Sequence, residues 1–281
     1  VSGGVFAIVM LAALLHAAWN ALVKGGADKT VAMVAVVLGQ AIAALTAAGF
    51  APVPNPECWP WLIAGAVLHF GYQIFLVAAY RLGDLTQVYP IARGVSPLLV
   101  ALASVLFLGV VFSRLEWLAI GMIAIGIASI SLVRRADGLF QGKAAVLALT
   151  TGGFIASYSI VDGIGARIAG TSLGFYSWLA VLNGIAMAVV AWWWRPELLP
   201  MALRQFKTLI LGGGASFVAY ALVVYAFTHS PIALVTALRE TSIVFALLIG
   251  VVFLKERLNL LKVAATAATL SGAALLRISK G

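Results

Sequence analysis

The sequence predicts an all-α polytopic membrane protein: ten transmembrane helices arranged as two inverted five-helix repeats around a central cavity. Three observations predict it. Of 281 residues, 63% are hydrophobic and only 10% are charged, with a mean hydropathy of +1.10, far from globular usage. Ten stretches are long and apolar enough to cross a hydrocarbon core of about 30 Å, which takes about 20 residues. A shift of 146 positions lays "VYPIARGVSPLLVALASVLFL" over "LVTALRETSIVFALLIGVVFL", an internal repeat.

The ten stretches run approximately over 4–24, 30–51, 59–82, 85–109, 114–133, 142–165, 172–194, 207–228, 231–254 and 259–277. Turn and cap residues separate them: Gly25-Gly26, the run from Pro52 to Pro56, Gly83-Asp84, Arg134-Arg135, Arg195-Pro196 and Ser230-Pro231. No polar stretch is long enough for a separate soluble domain, and neither a linker nor a cleavable signal pattern stands out. The net charge of +9 comes from cations placed singly or in pairs between apolar runs. Without a continuous basic face they read as topology signals and not as a nucleic-acid surface. One cysteine, Cys58, excludes an intrachain disulfide framework, and no Cys/His cluster is present, so neither metal nor cofactor is expected.

The repeat pairs Arg93 with Arg239, Ser96 with Ser242, and Phe107-Leu108 with Phe253-Leu254. The fourth and ninth helices are thus counterparts, and the chain divides into a first repeat over 1–136 and a second over 137–281. Five helices is an odd number, so the second repeat enters the membrane from the opposite side. Loop charge agrees: Lys24, Lys29, Arg81, Arg134, Arg135, Lys143, Arg195, Arg204, Lys207, Lys255, Arg257 and Lys262 share one side. Only Arg114, Arg167, Arg277 and Lys280 lie on the other. The positive-inside rule makes the first side cytoplasmic and places both termini outside.

Several segments together resemble the drug/metabolite transporter superfamily, and within it the ten-helix EamA-type amino-acid and metabolite exporters. They are Trp19-Asn20 followed by Lys24, the junctions "YRLGDLTQVYPI" and "YAFTHSPIALV", and "FLKERLNLLKVAATAATLSGAALL". The last contains the acidic-basic-Leu turn Glu256-Arg257-Leu258; the first half has Ser113-Arg114-Leu115, without the acid. The resemblance implies two pseudo-symmetric halves around a central cavity, and alternating access for small metabolites. It implies a transporter and not an enzyme, set in a bacterial inner membrane, multi-pass and functional as a monomer. Members are usually drawn with cytoplasmic termini, opposite to the charge count here.

Polar stripes at helical spacing mark candidate cavity walls. The first helix has His16, Trp19 and Asn20; the third has His69, Tyr72 and Gln73; the fourth has Tyr89, Arg93 and Ser96. The sixth has Tyr158 and Asp162, and the ninth has Thr236, Arg239 and Glu240. An aromatic, net-cationic lining suits a zwitterion or anion with an apolar body, since a guanidinium grips a carboxylate bidentately. Pro90 and Pro97 are expected to break the fourth helix and free carbonyls for an ammonium group. Arg93 and Arg239 have a second reading, in which they pair with Asp162, Glu240 or carbonyls and tie the halves together. Asp162 and Glu240 are also the candidate coupling acids. Glu256 reads as a loop charge, Trp192 to Trp194 as an interfacial belt, and Gly121, Gly126 and Gly212 to Gly214 as helix-packing positions.

The expected function is export or facilitated passage of amino acids, with aromatic ones among the candidates, and similar small metabolites. The alternatives are a carrier for other organic anions such as phosphorylated sugars, and a proton-coupled multidrug exporter. No P-loop is present to use ATP directly. An intramembrane enzyme would need a reactive constellation, and the three histidines are scattered.

Overall fold

The computed structural model describes residues 1–24, 28–82, 85–132, 142–252 and 260–278. Gly25-Gly26, Gly83-Asp84, Arg134-Arg135 and the turn at Glu256 lie outside the described residues, as do the side chains of Lys24, Arg81 and Tyr89. The helices are α1 (Gly3–Lys24), α2 (Lys29–Ala48), α3 (Trp59–Leu82), α4 (Leu85–Leu108), α5 (Arg114–Leu132) and α6 (Gly142–Ile168). They continue as α7 (Ser172–Trp194), α8 (Leu198–Arg204), α9 (Gly213–His229), α10 (Ile232–Arg239), α11 (Ser242–Val252) and α12 (Leu260–Ile278). Among the described residues no strand occurs.

Seven of these helices are long and apolar enough to cross a membrane, and Val263–Ile278 is a shorter apolar helix. The molecule is an all-α polytopic membrane protein, and the ten expected spans are matched by seven. The fifth is not among the seven, the tenth is the shorter helix, and the ninth is divided between α10 and α11.

The division of the ninth span and the continuity of the fourth reverse one expectation. Helix α4 runs unbroken through Pro90 and Pro97. The interruption falls in its counterpart, at Glu240-Thr241. There Glu240 N–H donates to Ala237 O at 3.1 Å, Thr241 N–H to Leu238 O at 3.1 Å, and Ile243 N–H to Glu240 O at 3.1 Å. These three-residue bonds tighten the backbone, and Thr241 Oγ1 adds a 2.7 Å bond to Leu238 O. A proline removes one donor and its neighbours bend to accommodate it; here, two adjacent buried charges and a hydroxyl that competes for a carbonyl end the helix.

Caps set the helix starts. Asp28 Oδ1 accepts from Thr30 N at 2.8 Å and from Val31 N at 3.2 Å. Ser113 and Glu116 form a reciprocal capping box at α5: Glu116 N donates to Ser113 Oγ at 3.2 Å, and Ser113 N donates to Glu116 Oε2 at 2.8 Å. Ser113, which stands where the second half has Glu256 in its turn, is therefore an N-cap. Entry into α9 passes through a π-helical turn, Thr208–Gly212.

The bundle packs α3 on α6, α9 on α1, α2 on α7 and α5 on α12, with α4 on α6 and α11 on α1. Between apolar helices in lipid, close approach of small residues drives association. A Cβ on Gly39 would stand 1.8 Å from Leu209 O, and a Cβ on Gly213 would stand 2.6 Å from Gly39 Cα, so α2 and α9 meet backbone to backbone. A Cβ on Gly126 of α5 would stand 2.9 Å from Ala265 O of α12, whereas Gly121 and Gly214 face open space. Trp192, Trp193 and Trp194 are all exposed on the outside of α7.

Candidate functional site

A small cavity is lined by His16, Trp19, Gln40, His69, Tyr72, Gln73, Tyr158, Tyr176, Ser216, Tyr220 and Arg239, with Met33, Val36 and Val37. Its volume is about 60 Å³, against roughly 300–1,000 Å³ for ordinary ligand pockets. The cavity is contracted, and any metabolite larger than a few waters must part its walls. A larger groove of about 260 Å³ lies between α2, α3 and α7 and shares Met33 and Gln73 with the cavity. That groove is almost wholly apolar, so the chemistry resides in the smaller space.

Aromatic rings fill the centre. The His69 ring stacks on Tyr158 at 4.0 Å between centroids and meets Tyr220 edge-on at 5.2 Å. Tyr72 lies 5.7 Å from Tyr158, and Tyr176 lies 5.0 Å from Tyr220. On α1, His16 and Trp19 form a T-shaped pair at 5.1 Å. Asn20 turns back to its own helix, its Nδ2 donating to His16 O at 2.7 Å.

Two charged groupings flank the tyrosines. On one side, Asp162 of α6 is fully buried. Its Oδ2 lies 2.8 Å from His69 Nε2 and accepts from Tyr220 OH at 2.7 Å. On the other side, the Arg239 guanidinium stands 5.5 Å from the Tyr220 ring centroid and 5.8 Å from that of Tyr158. Its Nη2 donates to Tyr158 OH at 3.3 Å. Behind it, Glu240 Oε1 is 3.8 Å from Arg239 Nη2, and Glu240 Oε2 is 2.5 Å from Arg93 Nε. Arg93 also donates to Ser242 Oγ at 3.0 Å. Two arginines thus share one carboxylate at the break between α10 and α11.

Buried polar atoms with open valences mark where the wall is ready to bind. Among the described residues, Trp19 Nε1, a donor, and Gln73 Oε1, an acceptor, are both buried in the cavity lining without a hydrogen-bond partner. Burial of such atoms is costly until a partner arrives.

The sequence-predicted residues sort cleanly on this geometry. His16, Trp19, His69, Tyr72, Gln73, Tyr158 and Arg239 come together in the cavity wall. Arg93 and Glu240 stand behind it as an ion pair, and Asp162 is held by His69 and Tyr220 at its edge. The side chain of Tyr89 lies outside the described residues. Gln40, Tyr176, Ser216 and Tyr220 were not foreseen. Gln40 is a lone amide in an apolar helix whose amide contacts Tyr176 OH, and Ser216 and Tyr220 are four residues apart on α9. That spacing is a polar stripe legible in the sequence.

The EamA-like transporter family profile matches residues 142–278, which comprise α6 to α12. The chain carries an EamA-like transporter domain. Over those residues it matches a transporter family of the drug/metabolite transporter superfamily, and the chain as a whole is an integral, multi-pass membrane protein. A solved structure described only as "Crystal structure of protein" has the same fold, with a TM-score of 0.81 at 19% identity, covering 98% of this chain and 96% of that one. No curated protein matches the sequence. The EamA-like domain contributes Tyr158, Tyr176, Ser216, Tyr220 and Arg239 to the cavity, and residues from α1 to α3 complete it.

Proposed function

We propose that this transporter exports amino acids and similar small zwitterionic metabolites, aromatic ones included, across a bacterial inner membrane by alternating access. One observation carries the reading: a cation, Arg239, and the His69–Asp162 pair both border the rings of Tyr158 and Tyr220. The guanidinium receives an α-carboxylate, and the Asp162 carboxylate receives an ammonium. The aromatic rings beside them, with Tyr72 and the Trp19 and Gln73 polar atoms, receive an apolar side chain and its remaining hydrogen bonds. A phosphorylated sugar brings about two negative charges at neutral pH, and Arg93 and Arg239 already share Glu240, so the zwitterion is the better-balanced cargo.

Alternating access is supported by how the proposed halves, 1–136 and 137–281, pack. Exchanging each helix for its counterpart carries the α3–α6 contact onto α9–α1 and the α4–α6 contact onto α11–α1. The contacts of α2 with α7 and of α5 with α12 map onto themselves. Such a pairing gives two equivalent arrangements for one chain, which is what rocking between two faces requires.

The test is counterflow. Purified protein in liposomes loaded with unlabelled L-phenylalanine, L-alanine or glucose 6-phosphate is given the radiolabelled form outside. Accumulation of labelled amino acids and not of the sugar phosphate is expected; accumulation of the sugar phosphate alone would sink the assignment.

A further inference from the structure

We propose that the carrier reads the side chain of its cargo at Trp19 and Gln73, and that it selects amino acids whose side chain ends in a neutral group that both donates and accepts a hydrogen bond, a hydroxyl above all. The inference deepens the amino-acid reading above and rests on it. That reading uses Arg239 for the α-carboxylate and Asp162 for the ammonium, groups that every amino acid carries. Selection among amino acids must therefore come from wall atoms that the α-groups leave open.

Most polar groups of the wall already have partners. His69 and Tyr220 are bound to Asp162, and Tyr158 OH accepts from Arg239 Nη2. The Gln40 amide reaches Tyr176 OH and Ser216 Oγ. Among the described residues, three buried atoms of the cavity wall lack a hydrogen-bond partner: Arg239 Nε, Trp19 Nε1 and Gln73 Oε1. The first belongs to the group that receives the carboxylate. The other two are complementary, since an indole N–H only donates and an amide oxygen only accepts. They come from different helices, α1 and α3, yet line one space of about 60 Å³. Trp19 is 7% exposed and Gln73 6%, so both are withdrawn from bulk solvent. Gln73 also stands where the cavity has room to grow. With Met33 it lines the apolar groove of about 260 Å³ as well, and an unbranched thioether side chain repacks readily.

With the α-groups on Arg239 and Asp162, the side chain is the part of the cargo left to meet this wall. A hydroxyl carries one donor and two acceptor lone pairs. It donates to Gln73 Oε1 and accepts from Trp19 Nε1, so both open valences close on one atom. A methyl group or a hydrogen in the same place leaves both buried groups unpaired, which costs at least as much as the bonds are worth. A site built to bond a hydroxyl therefore rejects the analogue without it, far more strongly than an apolar pocket rejects an added hydroxyl. A charged side chain fits worse, because neither Trp19 nor Gln73 brings a charge to balance it. Tyrosine joins the hydroxyl to a ring that suits the aromatic wall, and threonine carries a hydroxyl where valine has a methyl group.

Competition in liposomes containing the full chain tests this. Counterflow of labelled L-alanine or L-threonine is measured against unlabelled tyrosine or phenylalanine, and against unlabelled threonine or valine. Tyrosine is expected to compete about five- to a hundredfold more strongly than phenylalanine, and threonine than valine. Phenylalanine and valine that compete as well as their hydroxylated partners overturn the proposal and leave the amino-acid reading standing; a preference confined to one pair overturns the hydroxyl as the common determinant. Absence of counterflow for every amino acid refutes the amino-acid reading and this one with it. Gln73→Met keeps the length of the side chain and removes the acceptor, and Trp19→Phe keeps a ring and removes the donor. In each, the tyrosine-to-phenylalanine ratio should fall towards one in whatever flux remains, a change that a packing role does not produce. A wild-type ratio in both variants removes the two residues as readers. Where neither variant is monodisperse, O-methyltyrosine decides on the wild-type protein: its ether oxygen cannot donate to Gln73, so it should lose the advantage of tyrosine, and equal competition overturns the contact.

Discussion

Arg93 costs about 2.5 to 3.5 kcal/mol to place at the centre of an isolated membrane helix, yet it is 2% exposed and its charge is met by Glu240. The sequence left two readings for it, a grip on substrate or a tie between halves, because spacing along one helix does not reveal what stands opposite. The geometry pairs Arg93 with Glu240 and puts Arg239 beside the cavity. Glu240→Gln leaves two buried guanidiniums without their shared carboxylate. A loss of about 3–5 kcal/mol is expected, read as a lower thermal midpoint in detergent; an unchanged midpoint would show that the trio is unimportant to stability. Tyr220→Phe removes the hydroxyl on Asp162 and keeps the ring. Its stability should fall by about 1–3 kcal/mol, with a several-fold loss of amino-acid flux per molecule. Unaltered flux would take Tyr220 out of the site.

At the level of elements, the prolines of α4 were expected to open a helix that stays closed, and the break lies in the span with no internal proline. Local propensity is overridden there by buried charge and by three-residue hydrogen bonds, which depend on what α4 presents to α10. Packing glycines were legible as a class but not individually. Gly126→Val should disrupt the α5–α12 contact and cost yield of monodisperse protein, whereas Gly121→Val, facing open space, should not; equal behaviour of the two would contradict the packing. Ser113→Ala removes an N-cap and should cost about 0.5–2 kcal/mol, measured by thermal unfolding in detergent.

For the whole molecule, the expected orientation puts the cation-rich ends of the helices, including Lys29 and Arg195, in the cytoplasm. Cysteines at position 29 and position 195 in a Cys58→Ser background should resist impermeant thiol reagents in intact cells and react in inverted vesicles; the reverse pattern would invert the molecule. Composition and run length alone determined that the chain is a helical membrane protein, because a bilayer demands long apolar segments with internally satisfied backbones whatever their partners. Six of the eight polar positions that form the cavity wall on α1, α3, α6 and α9 were likewise read as stripes. The unread ones were Ser216 and Tyr220, and on other helices Gln40 and Tyr176, each inconspicuous alone. What only the tertiary structure decided is which charges meet: His69 with Asp162, Arg93 with Glu240, and Arg239 over two tyrosines. Those partners are 93, 147 and up to 81 residues apart in sequence. Their pairing follows from which helices are neighbours, and electrostatic matching in a low-dielectric interior acts through space, not along the chain.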